Sequence, residues 1–359
     1  MAAEPEKGSP PAADARSFGI ASIGRHAVLY AIGQILSKAV AFLMLPIYTS
    51  YLSPADYGVA ALIEMTLDVI AIVAGAQIAQ GVYRFYHKAD TPEEKRRVVS
   101  TTMTAMAVSF GIMGAAVYLF AAPLSRLVFK SDAHADLLHL AAISFALQSL
   151  MLVPTAFARV QERSGLVVGS TLLKLVVQVG LNVTFIVGMG LGVKGVFLST
   201  LFSNLVIGLW LGWWAVRQVG LGIDPAILRS LIRYGVPLIG VQAATFTMTF
   251  SDRYFLQAAG GEAAVGLYNL AYQFGFLLLM LGFVPIEMIW GPRRFQVARG
   301  PNPSPVLAKA FRLINVSMFT IGVGIALFVG DLLRIMSKPP FHPAAAVVPI
   351  ILIAYVFHG

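Results

Sequence analysis

Cysteine is absent from the 359 residues, which excludes a disulfide framework, a thiolate metal site and a cysteine nucleophile. Charge is almost as scarce. Only 12% of residues are Asp, Glu, Lys or Arg, where a soluble chain carries about one quarter. No G-x-x-x-x-G-K-[ST] loop occurs, so nucleotide hydrolysis by a P-loop is excluded, and H-E-x-x-H and G-x-S-x-G are missing as well. The histidines (His26, His87, His134, His139, His342 and His358) sit at segment ends or in loops without ligand spacing, so neither a metal nor another cofactor is expected. Residues 1–22 have no apolar run of the signal-peptide kind and read as a polar, disordered tail. Alternating ten-residue strands are lacking too, which removes a membrane barrel.

What remains is apolar. Hydrophobic residues make up 58% of the chain, and the mean hydropathy is +0.78. These values indicate an all-α polytopic membrane protein, because in lipid only a helix satisfies its own backbone hydrogen bonds. Apolar segments fall at 26–50, 57–80, 99–121, 137–158, 166–189, 193–215, 230–256, 264–290, 308–330 and from 343, about ten spans of about 17–25 residues. Eighteen of the 26 Lys and Arg residues lie in loops on one side and five on the other. That bias places the N-terminus in the cytoplasm, and it accounts for the net charge of +9 without nucleic acid.

A repeat runs beneath the spans. YAIGQ at 30–34 answers PLIGVQ at 237–242, DYGVAAL at 56–62 answers AVGLYNL at 264–270, and GVYRFY at 81–86 answers GPRRF at 291–295. The offset spans six helices, an even number, so the two units would be parallel and related by an axis along the membrane normal.

Polar residues inside spans form stripes at helical spacing. Gln34 and Lys38 share a face of the first span, and Glu64 and Asp68 share one of the second. The fifth carries Ser170, Lys174, Gln178 and Asn182; the seventh carries Gln242, Thr245 and Thr249 before Asp252 and Arg253; the eighth carries Asn269, Gln273 and Glu287. Such faces belong against protein or water. One reading is a set of buried ion pairs locking helices, Lys38 or Lys174 with Glu64 or Asp68. The other is a solvated cavity in which cations receive an anionic head group and carboxylates take a proton or sodium ion. Asp252 and Arg253 are adjacent and so point apart, with Arg253 assigned to the cavity and the other to the turn.

The helix with Gly33 and Gln34, the turn LSPADYG at 52–58, GVYRFY at 81–86, YGVPLIG at 234–240, SDRYFL at 251–256 and VGLYNLAY at 265–272 together resemble the bacterial oligosaccharide flippases of the polysaccharide-biosynthesis (Wzx-like) family, within the superfamily that includes the MATE antiporters. The resemblance runs from about residue 23 to the end of the chain. It implies two six-helix lobes, here 23–216 and an incomplete 217–359 of about four helices, with alternating access between them. It implies a non-enzymatic transporter of the bacterial inner membrane that flips a polyprenyl-pyrophosphate-linked oligosaccharide for surface polysaccharide synthesis. Partners implied with it are membrane lipids, H+ or Na+, and the polysaccharide polymerase machinery. Within that frame Lys38, Lys174, Arg253 and Gln178 are assigned to the pyrophosphate, and Glu64, Asp68 and Asp252 to ion coupling or charge pairing. An ion-coupled drug or metabolite antiporter and a non-transporting scaffold are the alternatives.

Overall fold

A computed structural model describes Leu36, Val40, 42–300 and 303–358. Lys38, Gln34, Gly33 and the tail lie outside the described residues. Among those described, the regular structure is entirely helical.

Thirteen α-helices follow in order: α1 (Leu45–Tyr51), α2 (Pro54–Val73), α3 (Gly81–Lys88), α4 (Pro92–Leu119), α5 (Ala121–Phe129), α6 (Ala135–Val160), α7 (Ser164–Asn182), α8 (Gly192–Val219), α9 (Pro225–Phe250), α10 (Asp252–Leu278), α11 (Val284–Ala298), α12 (Pro303–Met336) and α13 (Val348–His358). Three of them begin on a capping residue followed by proline. Ser53 exchanges hydrogen bonds with Asp56, and Thr91 does the same with Glu94. Asp224 accepts from the backbone of Ala226 and Ile227. Each cap satisfies amides that helix geometry leaves free, and proline at the first position gives up a donor that had no partner.

Among the described residues, six helical runs are long and apolar enough to cross a membrane, or up to eight if each bent pair crosses as one. The segment expected as one straight span at 57–80 is bent. Gly75, at φ +82, ends α2, and the chain continues to α3 at 64° through a 3-10 turn at Ala76–Gln80. A left-handed residue is what glycine adopts without steric cost. The run Pro225–Glu287 counts as one stretch, yet it must double back. The Tyr268 hydroxyl donates to Asp252 Oδ2 at 2.6 Å, whereas sixteen residues of straight helix span about 24 Å. The reversal is at Gly261, the non-helical residue inside α10, with φ +72. The Gly-rich turn between two helices is therefore where the sequence places it, although the first helix runs on past 256.

The interior holds separate apolar clusters. Met103, Met106, Phe110, Phe145, Val153 and Phe157 form one, from α4 and α6, and Leu62, Ile63, Leu138 and Phe197 form another beside it. A third gathers Phe274, Leu278, Met318, Leu333, Phe341 and Ile351 from the later helices, with Leu45 of α1. Large apolar side chains also face outward, among them Phe120, Phe255, Phe311, Leu327 and Phe328. Together with the internal clusters, this is a helical protein built to sit in lipid.

Helices α2 and α10 cross in close backbone contact. A Cβ added to Gly58 would overlap the carbonyl oxygen of Glu262, and one added to Gly266 would overlap that of Pro54. Gly58 and Gly266 are the glycines matched in the sequence repeat, and Pro54 and Glu262 stand at the same 208-residue offset. The contact is thus reciprocal, as an interface across a pseudo-twofold axis requires.

Candidate functional site

The polar stripes resolve into three places. The first is a polar group beside the α2–α10 crossing. Glu64 and Asp68, one turn apart on α2, are both exposed. Tyr48 and Tyr57 lie close enough to feel the Glu64 charge, and Tyr254 feels that of Asp68. Asn182 at the end of α7 donates to the Tyr48 hydroxyl at 2.7 Å. Thr66 and Tyr254 share a hydrogen bond at 3.1 Å, and Gln273 of α10 approaches Tyr57. Residues of α1, α2, α7 and α10 therefore contribute to this group.

The second is a cavity of about 250 Å³ among the 3-10 turn, α3, α6 and α7. Lys174 projects into it beside Gln80, Tyr83, Gln148, Thr155 and Arg159. Lys174 is half-buried, and among the described residues it has no carboxylate within salt-bridge distance. The ion pair of Lys174 with Glu64 or Asp68, one of the two readings of these stripes, is not formed. The reason is geometric: Lys174, two turns from Asn182 on α7, faces α6 in a cavity that neither Glu64 nor Asp68 lines. Gln178, between them, donates to Thr200 of α8 at 3.3 Å, so its amide is turned toward a neighbouring helix.

The third surrounds the hairpin. Arg253 is 1% exposed and lies over the Tyr272 ring at 3.9 Å. Its guanidinium donates to the Thr249 carbonyl and to Asp252 Oδ1, each at 3.0 Å, while its buried Nε has no partner among the described residues. Asp252 also accepts from Tyr268 at 2.6 Å and Tyr272 at 3.0 Å. The assignment of Arg253 to open cavity and of its neighbour to the turn does not describe this conformation. Both charges enter one cluster, because the long arginine side chain folds back over the preceding residue. Behind the Tyr272 ring is a further cavity of about 380 Å³, lined by Thr245, Met248, Thr249, Ala354 and Tyr355.

The residues that sequence reasoning missed are mostly tyrosines. Tyr268 and Tyr272 stand at the i, i+4 spacing already noted for Asn269 and Gln273, and that spacing could have marked them as a pair. Arg159 and Gln148 gave no signal, since only the packing of α6 against α7 brings them to Lys174. Lys38 lies outside the described residues.

Residues 23–296 match the family described as polysaccharide biosynthesis protein. Over 94 residues the chain is 37% identical to the lipid III flippases of Escherichia coli (strain K12) and Shigella flexneri; the match spans 25% of this chain and 22% of those relatives. Among solved structures, the MATE multidrug transporter DinF-BH superposes with a TM-score of 0.64 at 13% identity, covering 98% of this chain and 83% of that one. A MOP superfamily transporter from Pyrococcus furiosus superposes with a TM-score of 0.61 at 19% identity, covering 94% and 80%. At such identities the likeness concerns the fold alone, which is that of the MATE transporters. The family match extends over most of the chain, and the chain therefore belongs to the polysaccharide biosynthesis protein family.

Proposed function

We propose that the protein flips a polyprenyl-pyrophosphate-linked oligosaccharide from the cytoplasmic to the outer leaflet of the bacterial inner membrane, supplying surface polysaccharide synthesis. The observation that carries this reading is the cavity holding Lys174: an ammonium with no carboxylate partner among the described residues, beside Arg159 and the polar side chains of Gln80, Gln148 and Thr155. A cation costs about 2.5–3.5 kcal/mol or more at the centre of a membrane helix, and a polyanionic cargo gives that expense a use. Family membership and the partial match to lipid III flippases support the choice of cargo.

In this reading the chain forms two lobes, 23–216 and 217–359, with about ten crossings and a cytoplasmic N-terminus, the orientation favoured by the loop charges. The α2–α10 crossing then closes the outer side, and access alternates as it opens. Glu64 and Asp68 are the groups suited to take up H+ or Na+ as the lobes move. Lys38, Gln178 and Arg253 remain assigned to the cargo's path, Arg253 becoming available once the Asp252–tyrosine cluster separates. A drug antiporter is the second reading, favoured by the largely apolar cavity at Met248, Tyr272 and Tyr355.

The test is a deletion strain. Loss of the protein should accumulate lipid-linked oligosaccharide at the cytoplasmic face, and Lys174→Arg should restore surface glycan where Lys174→Ala does not. Normal surface glycan together with lost dye efflux would move the protein to the second reading.

A further inference from the structure

A further polar cavity lies apart from these. It has a volume of about 460 Å³ and is formed by the ends of α3, α4, α6 and α8. Lys95, Arg96 and Arg217 line it, with Tyr86, Pro92 and Phe157 as its apolar wall. No acidic side chain lines it. The nearby acids are engaged elsewhere: Glu93 pairs with Arg97 at 3.0 Å, and Glu94 accepts from the backbone of Asp90 and Thr91. None of the three cations has an ion pair among the described residues. The site is cationic, uncompensated and ready for an anion.

Its position says which anion. On α8 the exposed apolar residues Phe202, Val206, Leu209, Trp210 and Trp213 recur at helical spacing and form one outward stripe. Arg217 continues that stripe by one more turn, and its guanidinium lies over the Trp213 ring at 3.9 Å. An outward apolar stripe that ends in a tryptophan and then an arginine marks the face of a helix in lipid, its interfacial level and its head-group level in turn. Lys95 lies over Tyr86 in the same manner, at 5.5 Å. The cavity therefore opens beside hydrocarbon, at the end of the molecule where Lys and Arg are concentrated, and Glu64 does not line it.

We propose that this cavity is a binding site for the phosphate head group of an anionic membrane phospholipid, with its acyl chains along the α8 stripe. Basic pockets between membrane helices on the side of the anionic leaflet bind such head groups. The last residue lining the cavity is Val219, and Gly220 after it, at φ +73, starts the connection from α8 to α9. A bound lipid would hold the helix end from which the second half of the chain departs.

The purified full chain tests this by native mass spectrometry with short-chain phosphatidylglycerol, phosphatidylcholine and inorganic pyrophosphate as probes. Phosphatidylglycerol should bind at least about tenfold more tightly than phosphatidylcholine or pyrophosphate. Removing all three charges (Lys95→Gln, Arg96→Gln, Arg217→Gln) should weaken phosphatidylglycerol binding about a hundredfold, each cation counting for about fivefold. The charge-retaining set Lys95→Arg, Arg96→Lys, Arg217→Lys should keep it, as should Arg229→Gln with Arg233→Gln, which removes charge outside the cavity. If the triple variant does not fold, Arg217→Gln alone, about fivefold weaker, decides the point. Unchanged binding in the charge-removed variant, or an equal loss in the Arg229/Arg233 control, overturns the site. Pyrophosphate binding as tightly as phosphatidylglycerol overturns the lipid and assigns the cavity to a soluble phosphate.

Discussion

Asp252 and Arg253 show how a costly pair of charges is accommodated in an apolar hairpin. Arg253 is enclosed by Phe250, Tyr268 and Tyr272, and among the described residues Asp252 is its only carboxylate partner. Removing one partner of a buried pair leaves the other uncompensated, which costs about 3–5 kcal/mol, whereas removing both is far milder. Because Asp252 is itself partly exposed, Asp252→Ala is expected at the lower end, near ~3 kcal/mol. Adding Arg253→Met should restore most of the loss. Melting temperatures of the two variants in detergent check this, and a double variant no more stable than Asp252→Ala would refute the cluster. At this scale little was legible beforehand. The spacing of Tyr268 and Tyr272 is visible in the sequence, but their meeting with Asp252 depends on the reversal at Gly261. Likewise Lys174 is conspicuous as a charge in an apolar run, while its neighbours Arg159 and Gln148 arrive from another helix.

Among the elements, helix starts were readable to within three to seven residues, the apolar segments from 57, 99 and 230 beginning after the polar caps Ser53, Thr91 and Asp224 and the prolines that follow them. The bend after α2 was not, since the hydrophobic run continues through it and a single glycine carries the change. Gly75→Ala would force a left-handed conformation on a residue with a Cβ, at about 1–2 kcal/mol, and would crowd Ile78. A lower melting temperature is the expected readout. The repeat-related glycines were legible as a match, and the structure supplies the reason: the α2 and α10 backbones touch there. Near the same contact His134, just before α6, meets Glu262 at 2.7 Å. The absence of cysteine makes this crossing testable without background thiols. With His134→Cys and Glu262→Cys bridged by a short bis-maleimide, transport should stop, because the crossing can no longer open. Adding Gly58→Leu should abolish the cross-link by holding α2 away from α10. Persistent transport in the cross-linked protein would show that the crossing is not a gate.

Over the whole molecule, the membrane class and the family-like fold followed from what the chain lacks as much as from what it contains. Hydropathy finds helices and charge bias orients them, but neither says which polar faces meet. The stripes are accordingly present while the pairing of Lys174 with Glu64 or Asp68 is not. Lys174 is, in the proposed mechanism, the cation that receives the cargo's pyrophosphate. The most direct measurement is flipping of a lipid-linked oligosaccharide in proteoliposomes, read as accessibility of the glycan to an enzyme added outside. Wild type and Lys174→Arg should both exceed protein-free vesicles. Lys174→Ala should be slower by at least about tenfold, the equivalent of one lost charge-assisted contact. An Ala variant that flips as fast as wild type would contradict the assignment, and a wild-type protein no faster than empty vesicles would contradict the function itself.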